Sequence, residues 1–189
     1  KGHGSLVCLS GDVGLGKTAL VDAFLRDLEQ SGESFHLARA RCSESLTNSE
    51  PLVPWIEALT PLAREEAPAH VMKTSAPSWH REISHTGSGH SNKMKRELQD
   101  FFRAVSSVHP VVVVLDDFQW SDVESVDLLA YLSTRLESHR VMIVVCYRIA
   151  DMKVEKHPFI QVREDMLSRH ACTELHLAPV IPQDGRSEG

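Results

Sequence analysis

The sequence predicts an α/β fold: a three-layer α/β/α sandwich with a five-stranded, mainly parallel sheet. Two observations support this prediction. Short apolar runs of strand length alternate along the chain with longer segments whose apolar residues recur at helical spacing. Two of the runs, VVVVL and VMIVVC, contain no charged residue, which is typical of strands buried on both faces of a parallel sheet. Right-handed crossovers between such strands place helices on both sides of the sheet.

The first half of the chain begins with a strand and a helix. Ser5–Ser10 is a short apolar run that ends at a glycine, and Thr18–Gln30 carries apolar residues at helical spacing. Ser34–Cys42 alternates like a strand, and Pro54–Ala63 is predicted to be a helix opened by its proline. Glu65–Asn92 is rich in Ser, Gly, Pro and His without a sustained period, so we expect an irregular, mobile insertion there.

The second half resumes the alternation. Helical spacing predicts three helices, Lys93–Val108, Ser121–Leu136 and Phe159–His170. Strands are predicted at Val111–Asp117, Val141–Arg148 and Thr173–Val180. Ser121 is the expected N-cap of its helix, because serine hydroxyls accept hydrogen bonds from first-turn amides. The whole chain, residues 1–189, is predicted to form one domain that contains the irregular insertion.

Length and charge exclude several classes of protein. At 189 residues, with 42% hydrophobic residues, the chain can bury one α/β core but not two. A net charge of −6 gives no general attraction to nucleic acid or to an anionic membrane. No apolar run approaches the roughly 20 residues that span a bilayer, and the four cysteines form no CxxC pair. We therefore expect a cytoplasmic protein with reduced thiols.

The stretch GDVGLGKT fits the phosphate-loop pattern G-x-x-x-x-G-K-[ST] at Gly11, Gly16, Lys17 and Thr18. Glycines let the backbone approach a phosphate chain, and the following helix directs its N–H groups towards it. Lys17 supplies a positive charge for the β- and γ-phosphates, and the Thr18 hydroxyl is placed to ligate Mg²⁺. Because the motif follows a buried strand and opens a helix, a chance match is disfavoured. The predicted nucleotide-binding residues are Gly11, Asp12, Val13, Gly14, Leu15, Gly16, Lys17, Thr18 and Ala19.

Two acids end the buried strand Val111–Asp117. Ligands of open α/β sheets bind at the carboxyl ends of the strands, so these acids are expected beside the phosphate loop. Asp116 is the candidate for holding Mg²⁺, and Asp117 the candidate for orienting or deprotonating the attacking water. The alternative is that the two acids only end a strand and cap a turn.

Arg148 ends the next buried strand, at the same predicted edge of the sheet. An arginine there is placed to reach a γ-phosphate, although an arginine that merely closes a strand is the simpler interpretation. If this later strand lies between the loop strand and the acidic strand, the site has room for a positioned water. Such an order favours hydrolysis over phosphoryl transfer to a small molecule.

The stretch VVVVLDDFQWSD resembles the acidic-strand signature of the STAND class, signal-transduction ATPases within the AAA-related P-loop NTPases. It is similar in particular to the ATPase modules fused to bacterial LuxR-type regulators, nucleotide cyclases and protein kinases. The matching signature residues are Asp116, Asp117, Phe118, Gln119, Trp120, Ser121 and Asp122. Three further stretches resemble other parts of such modules: Arg39–Leu59, Cys146–Arg148 and Leu175–Val180.

The resemblance implies a switch that binds ATP and Mg²⁺, hydrolyses ATP slowly and regulates attached effector domains. It implies that Arg148 senses the nucleotide, and that Lys17, Asp117 and Arg148 form the catalytic set. The Gly-Arg-Glu segment and the helical lid of the class are not found in the sequence, so we expect a piece of a longer polypeptide. Its expected partners are those lid and effector domains and an ATP-promoted homo-oligomer. Two alternatives stay open: a small-molecule kinase and a catalytically dead nucleotide-binding scaffold.

Overall fold

The computed structural model describes residues 3–44, 51–84 and 92–179. The strands are β1 (Ser5–Gly11), β2 (His36–Arg41), β3 (Val111–Asp116), β4 (Val141–Tyr147) and β5 (Thr173–Leu177). The helices are α1 (Lys17–Gln30), α2 (Val53–Leu59), α3 (Glu66–Ser75), α4 (Pro77–Ser84), α5 (Asn92–Ser106), α6 (Val123–Ser133), α7 (Ile149–Glu155) and α8 (Phe159–Ser168). Short 3₁₀ helices lie at Leu62–Arg64 and Phe118–Trp120.

The five strands form one sheet in the order β2-β3-β4-β1-β5, and every neighbouring pair is parallel. All carboxyl ends therefore meet at one edge. Strand β4 pairs with β1 on one side and with β3 on the other. Strand β4 thus separates β1, which leads into the phosphate loop, from β3, which ends in the acids. This is the strand order expected to leave room for a positioned water.

Two hydrophobic clusters cover the two faces of the sheet, which confirms the three-layer prediction. Val21 and Leu25 of α1 pack with Val114 and Val144 on one face. The larger cluster on the other face gathers side chains from α2 to α8, with Trp55, Trp79, Phe101 and Phe102 wholly buried. Strand β3 is buried along its whole length because both clusters cover it. Burial on both faces explains its run of four valines.

The irregular insertion expected over Glu65–Asn92 was wrong for most of its length. The chain instead forms α3 and α4, while residues 85–91 lie outside the described residues. Trp79 is wholly buried and donates a hydrogen bond from Nε1 to the carbonyl of Met94 at 2.8 Å. These helices are short, and each has a proline in its first turn, where proline is tolerated. Helices this short contain too few turns for a helical period to be recognised in the sequence.

Three smaller expectations also needed correction. The N-cap of α6 is Asp122 and not Ser121, since the Asp122 carboxylate accepts the amide of Ser125 at 2.8 Å. Helix α7 was not predicted, because its seven residues offer too few turns for a period to stand out. Strand β5 ends at Leu177, earlier than expected, and Val180 lies outside the described residues.

Among the described residues, no helix is both long and apolar enough to cross a membrane.

Candidate nucleotide-binding site

The predicted phosphate loop connects the end of β1 to the start of α1. Gly14 and Gly16 have φ angles of 79° and 85°, a backbone conformation that side chains with a Cβ rarely adopt. A Cβ on either glycine would meet nothing within 4 Å, so conformation and not crowding requires glycine at both positions. Gly11 differs, because its Cβ would approach the Leu177 carbonyl oxygen of β5 to 3.1 Å.

Lys17 is the buried cation of the loop, with 8% of the residue exposed. Its Nζ atom donates hydrogen bonds to the carbonyl oxygens of Gly11 at 2.7 Å and Asp12 at 3.0 Å. These bonds hold the ammonium group against the loop backbone, at the first residue of α1. The positive end of the helix and the lysine charge therefore favour an anion at the same place.

Thr18 and Asp116 join the loop to the acidic strand. The Thr18 hydroxyl donates to Asp116 Oδ2 at 2.9 Å, across 98 residues of sequence. The other carboxylate oxygen of Asp116 accepts the amide of Asp117 at 3.0 Å. A hydroxyl and a carboxylate are the oxygen donors that Mg²⁺ takes when phosphates and water complete its shell, so the pair fits this ion. Among the described residues, no group of three or more His, Cys, Asp or Glu forms a metal site.

Asp117 follows β3 in a left-handed conformation, with φ 53° and ψ 40°. Aspartate tolerates this region better than most residues, but its use marks a locally constrained turn. Each carboxylate oxygen has one close donor: Gln119 Nε2 lies 3.1 Å from Oδ1, and Arg41 Nε lies 2.8 Å from Oδ2. The turn thus directs the carboxylate into a fixed pair of contacts.

The pKa of the Asp117 carboxyl lies below its ordinary value. Burial alone would raise this pKa, but the hydrogen bonds from Gln119 and Arg41 and the charges of Arg41 and Arg148 outweigh burial. The group is consequently ionised, as a proton acceptor must be. The same partners weaken its basicity while they remain in place.

Arg148 follows β4 and lies beside both Asp117 and α7. Its Nε atom is 3.9 Å from Asp117 Oδ1, and a second guanidinium nitrogen is 2.6 Å from Asp151 Oδ2. The guanidinium carbon is 6.0 Å from the centre of the Trp120 ring. The main-chain amide of Arg148 donates to Gln119 Oε1 at 3.1 Å. Carboxylates on two sides therefore hold this arginine at the carboxyl edge of the sheet.

The structure brings four predicted residues into direct hydrogen-bonded or ionic pairs: Thr18 with Asp116, and Asp117 with Arg148. Lys17 is held by the loop itself. The other loop positions contribute backbone, and Asp12, Val13 and Ala19 are exposed.

Sequence reasoning missed the parts played by Arg41 and Gln119. Arg41 ends β2, where its register partner is Asp116, so its position at the carboxyl end of a strand was the signal available. Gln119 was noticed only as a signature residue, and nothing in its spacing indicated a contact with Asp117.

Comparison with known proteins agrees with this geometry. The AAA ATPase domain family matches residues 1–145. No match was found among curated proteins. Several structural neighbours share only the fold, at identities below 20%, and three of those with TM-scores above 0.5 follow. The Aeropyrum pernix ORC1 protein in complex with DNA has a TM-score of 0.55 at 18% identity, over 94% of this chain and 40% of that one.

Two further neighbours match over the same share of this chain. CDC6P from Pyrobaculum aerophilum has a TM-score of 0.54 at 16% identity, over 94% of this chain and 40% of that one. Drosophila ORC bound to DNA has a TM-score of 0.52 at 17% identity, over 94% and 38% of the two chains. The chain thus spans about 40% of the length of its structural neighbours.

Proposed function

The chain belongs to the AAA ATPase domain family, and we propose that it is a switch module that binds ATP with Mg²⁺ and hydrolyses it slowly. The observation that carries this proposal is the hydrogen bond from Thr18 to Asp116. It joins the phosphate loop to the acidic strand, so a triphosphate held by the loop would lie beside both acids. A glycine-rich turn that matched the motif by chance would not be expected to make this contact.

The loop binds the phosphates through backbone N–H groups and the ammonium of Lys17. Thr18 and Asp116 would hold Mg²⁺, which neutralises charge on the β- and γ-phosphates when it is bound. Two backbone carbonyls position Lys17, so its ammonium group already lies close to the phosphate site before a nucleotide binds. These residues account for binding and for neutralisation of the phosphate charge.

Hydrolysis requires a water and a proton acceptor. The water oxygen forms a bond to the γ-phosphorus while the bond from that phosphorus to the bridging oxygen of ADP breaks. Asp117 orients this water and accepts its proton. Since β4 separates β1 from β3, Asp117 and the phosphate loop are not on adjacent strands, which is the strand order expected to leave room for a positioned water.

Slow turnover is supported by the contacts of Asp117. Gln119 and Arg41 each occupy one of its oxygens and, with Arg148, lower its pKa. A carboxylate held in this way is a weak base, and it becomes a better one when a donor withdraws. Arg148 is suited to report on the γ-phosphate, because it already contacts Asp117 and lies at the same edge. A restrained Asp117 carboxylate with Arg148 beside it suits a slow switch better than a fast enzyme.

The finer assignment is a STAND-class module that controls attached lid and effector domains, including transcription regulators. This assignment rests on the signature around Asp117. In this proposal the protein is cytoplasmic and self-associates when ATP is bound. Two of the structural neighbours named above are bound to DNA, but the net charge of −6 gives this chain no general attraction to phosphate backbones. We therefore propose no direct contact with nucleic acid.

Two alternatives differ in what they require. A small-molecule kinase needs an acceptor pocket and a basic lid, but the described part of Glu65–Asn92, where a lid would be looked for, forms α3 and α4, which pack into the core. A dead scaffold would not need Lys17, Thr18, Asp116 and Asp117 together. The switch is the function that the geometry supports best.

Calorimetry of the full-length protein with Mg-ATP tests the proposal. We expect Lys17→Ala to abolish binding, because the loop loses its buried cation, while the exposed Lys73→Ala keeps it. Asp117→Asn should bind ATP and lose at least about 99% of turnover, in the range usual for a lost acid–base group. Absence of Mg-dependent ATP binding by the unaltered protein would refute the proposal. Turnover only with an added acceptor would favour the kinase.

A further inference from the structure

Gln119 lies between two of the predicted catalytic residues. It is the middle residue of the 3₁₀ helix Phe118–Trp120, and only 2% of it is exposed. Its side chain reaches from Asp117 on one side to the main chain of Arg148 on the other. A polar side chain buried to this extent needs hydrogen-bond partners, and here each partner belongs to the candidate site.

The two hydrogen bonds fix the orientation of the amide. Nε2 donates to Asp117 Oδ1 at 3.1 Å, and Oε1 accepts the Arg148 amide at 3.1 Å. A carboxylate only accepts and a main-chain N–H only donates, so a flipped amide would lose both bonds. Gln119 therefore has a single working orientation, set by one partner on each side.

The two oxygens of Asp117 differ in how firmly they are held. Oδ1 is bound by the buried Gln119. Oδ2 is bound by Arg41, whose side chain is 77% exposed. An exposed arginine moves at little cost, whereas the buried amide is confined by packing. Oδ2 is thus the oxygen that can become available to water, while Oδ1 keeps the carboxylate in place.

The same side chain connects Asp117 to the end of β4. The main-chain amide of Arg148, the first residue after that strand, donates its hydrogen bond to Gln119 Oε1. A shift of Arg148 is therefore transmitted to the Asp117 carboxylate through one residue. A side chain that only filled space between these elements would not need both polar ends.

We propose that Gln119 is a positioning residue for hydrolysis, which holds Asp117 Oδ1 so that Oδ2 faces the water and which ties the carboxylate to the main chain of Arg148. The proposal rests on the function proposed above. Gln119 touches neither nucleotide nor water in this role, and it acts only through Asp117. Misplacement of a reacting group by about 1 Å can lower a rate about 100-fold, so the loss of such a residue should be visible in kcat.

Two substitutions separate the two ends of the bridge. Gln119→Met keeps the length of the side chain and removes both hydrogen bonds. Gln119→Glu keeps an acceptor for the Arg148 amide and places a carboxylate against Asp117. The matched control is Gln99→Met on α5, where the lost hydrogen bond comes from the hydroxyl of Tyr131. Each variant is made in the full-length protein.

Three kinds of readout are compared across these variants: the rate of hydrolysis, substrate binding and amide hydrogen exchange. We expect kcat for ATP hydrolysis to fall at least about tenfold in both Gln119 variants, with KM and the Kd for Mg-ATP within about threefold of the unaltered values. Amide hydrogen exchange of Arg148 should accelerate in Gln119→Met and stay slow in Gln119→Glu. Gln99→Met should leave all three unchanged. Full kcat in Gln119→Met, or a loss of Mg-ATP binding equal to the loss of rate, would overturn the proposal.

A double variant tests whether Gln119 acts through Asp117. Adding Gln119→Met to Asp117→Asn should cause no further loss of rate, because residues that act as a unit are not additive. A further tenfold loss would show that Gln119 acts independently and would overturn the positioning role. If Asp117→Asn alone turns over ATP at the full rate, the catalytic assignment in the proposed function fails instead. The two failures are therefore distinguishable.

Discussion

At the scale of single residues, Asp117 shows how one side chain meets two demands. In the proposed hydrolysis it must be ionised to accept a proton, and partners that lower its pKa favour this state. The same partners reduce its affinity for that proton, so they also restrain the reaction. A left-handed backbone conformation directs its carboxylate towards donors from β2, from the 3₁₀ helix and from the end of β4.

The contribution of Arg41 can be measured at this residue. Arg41→Met removes one hydrogen bond and one positive charge from Asp117, so we expect the pKa of the Asp117 carboxyl to rise. A ¹³C NMR titration of that carboxyl, without Mg²⁺ or nucleotide, measures the shift. In Arg39→Met, which removes a partner of Asp22 at 2.6 Å instead, the Asp117 titration should stay unchanged. An unaltered Asp117 titration in Arg41→Met would contradict the assignment.

The sign of the effect on stability follows from the lowered pKa. The ionised Asp117 stabilises the fold above its ordinary value of 3.8, and this contribution is lost as the pH falls through the lower value of the folded state. At neutral pH the loss in Arg41→Met should stay below about 1 kcal/mol, because Arg41 is mostly exposed and water screens the pair. The difference in the free energy of unfolding between Arg41→Met and the unaltered protein should shrink in acid.

At the scale of elements, the pair α3 and α4 depends on a carboxylate from a third helix. Glu97 of α5 is buried to 6% exposure and accepts the Ser78 amide at 2.8 Å and the Ser78 hydroxyl at 3.0 Å. It therefore satisfies a free N–H group at the start of α4, as a capping residue does. Lys93 approaches the same carboxylate at 3.5 Å and balances its charge.

Removal of this carboxylate tests its role in the two helices. Glu97→Ala leaves the first-turn donors of α4 without an acceptor, so we expect a loss of about 1–3 kcal/mol in the free energy of unfolding, measured in urea. Glu97→Gln keeps one acceptor oxygen and should lose less. Equal losses in the two variants would indicate that packing, and not hydrogen bonding, holds α4.

At the scale of the whole molecule, a partly buried network attaches the last strand to the core. Glu174 of β5 accepts the Tyr147 hydroxyl of β4 at 2.6 Å and two guanidinium nitrogens of Arg163 from α8, each at 2.7 Å. Strand β5 forms one edge of the sheet, pairs with β1 and is poorly buried. One carboxylate thus links two strands and a helix.

This network predicts a pH-dependent stability. Burial would raise the pKa of Glu174, but the hydrogen bonds from Tyr147 and Arg163 lower it overall. Its stabilising effect is present above the ordinary value of 4.5 and is lost as the pH falls through the lower folded value. Glu174→Gln should therefore lose about 1–2 kcal/mol at pH 7, and the difference from the unaltered protein should shrink in acid.

Thermal unfolding from pH 3 to 8 checks this expectation. Glu164→Gln, on the exposed face of the same helix as Arg163, is the matched control and should unfold like the unaltered protein. A constant difference between Glu174→Gln and the unaltered protein at every pH would contradict the network.

The sequence by itself determined the sheet, the phosphate loop and the two acids. Buried parallel strands require long apolar runs, and a loop that wraps phosphates requires glycine, lysine and threonine at fixed spacing. Such requirements act locally, so they are visible in consecutive residues. For this reason Lys17, Thr18, Asp116 and Asp117 could be named as candidate site residues before the fold was known.

Only the tertiary structure decided which strands are neighbours and which side chains meet. Strand order depends on how distant segments pack, and the insertion of β4 between β1 and β3 has no local signal. The contacts of Arg41 and Gln119 with Asp117 likewise join residues from separate elements or depend on a left-handed turn. Short helices such as α3, α4 and α7 are stabilised mainly by burial against the core, because isolated helices of this length are marginal in water.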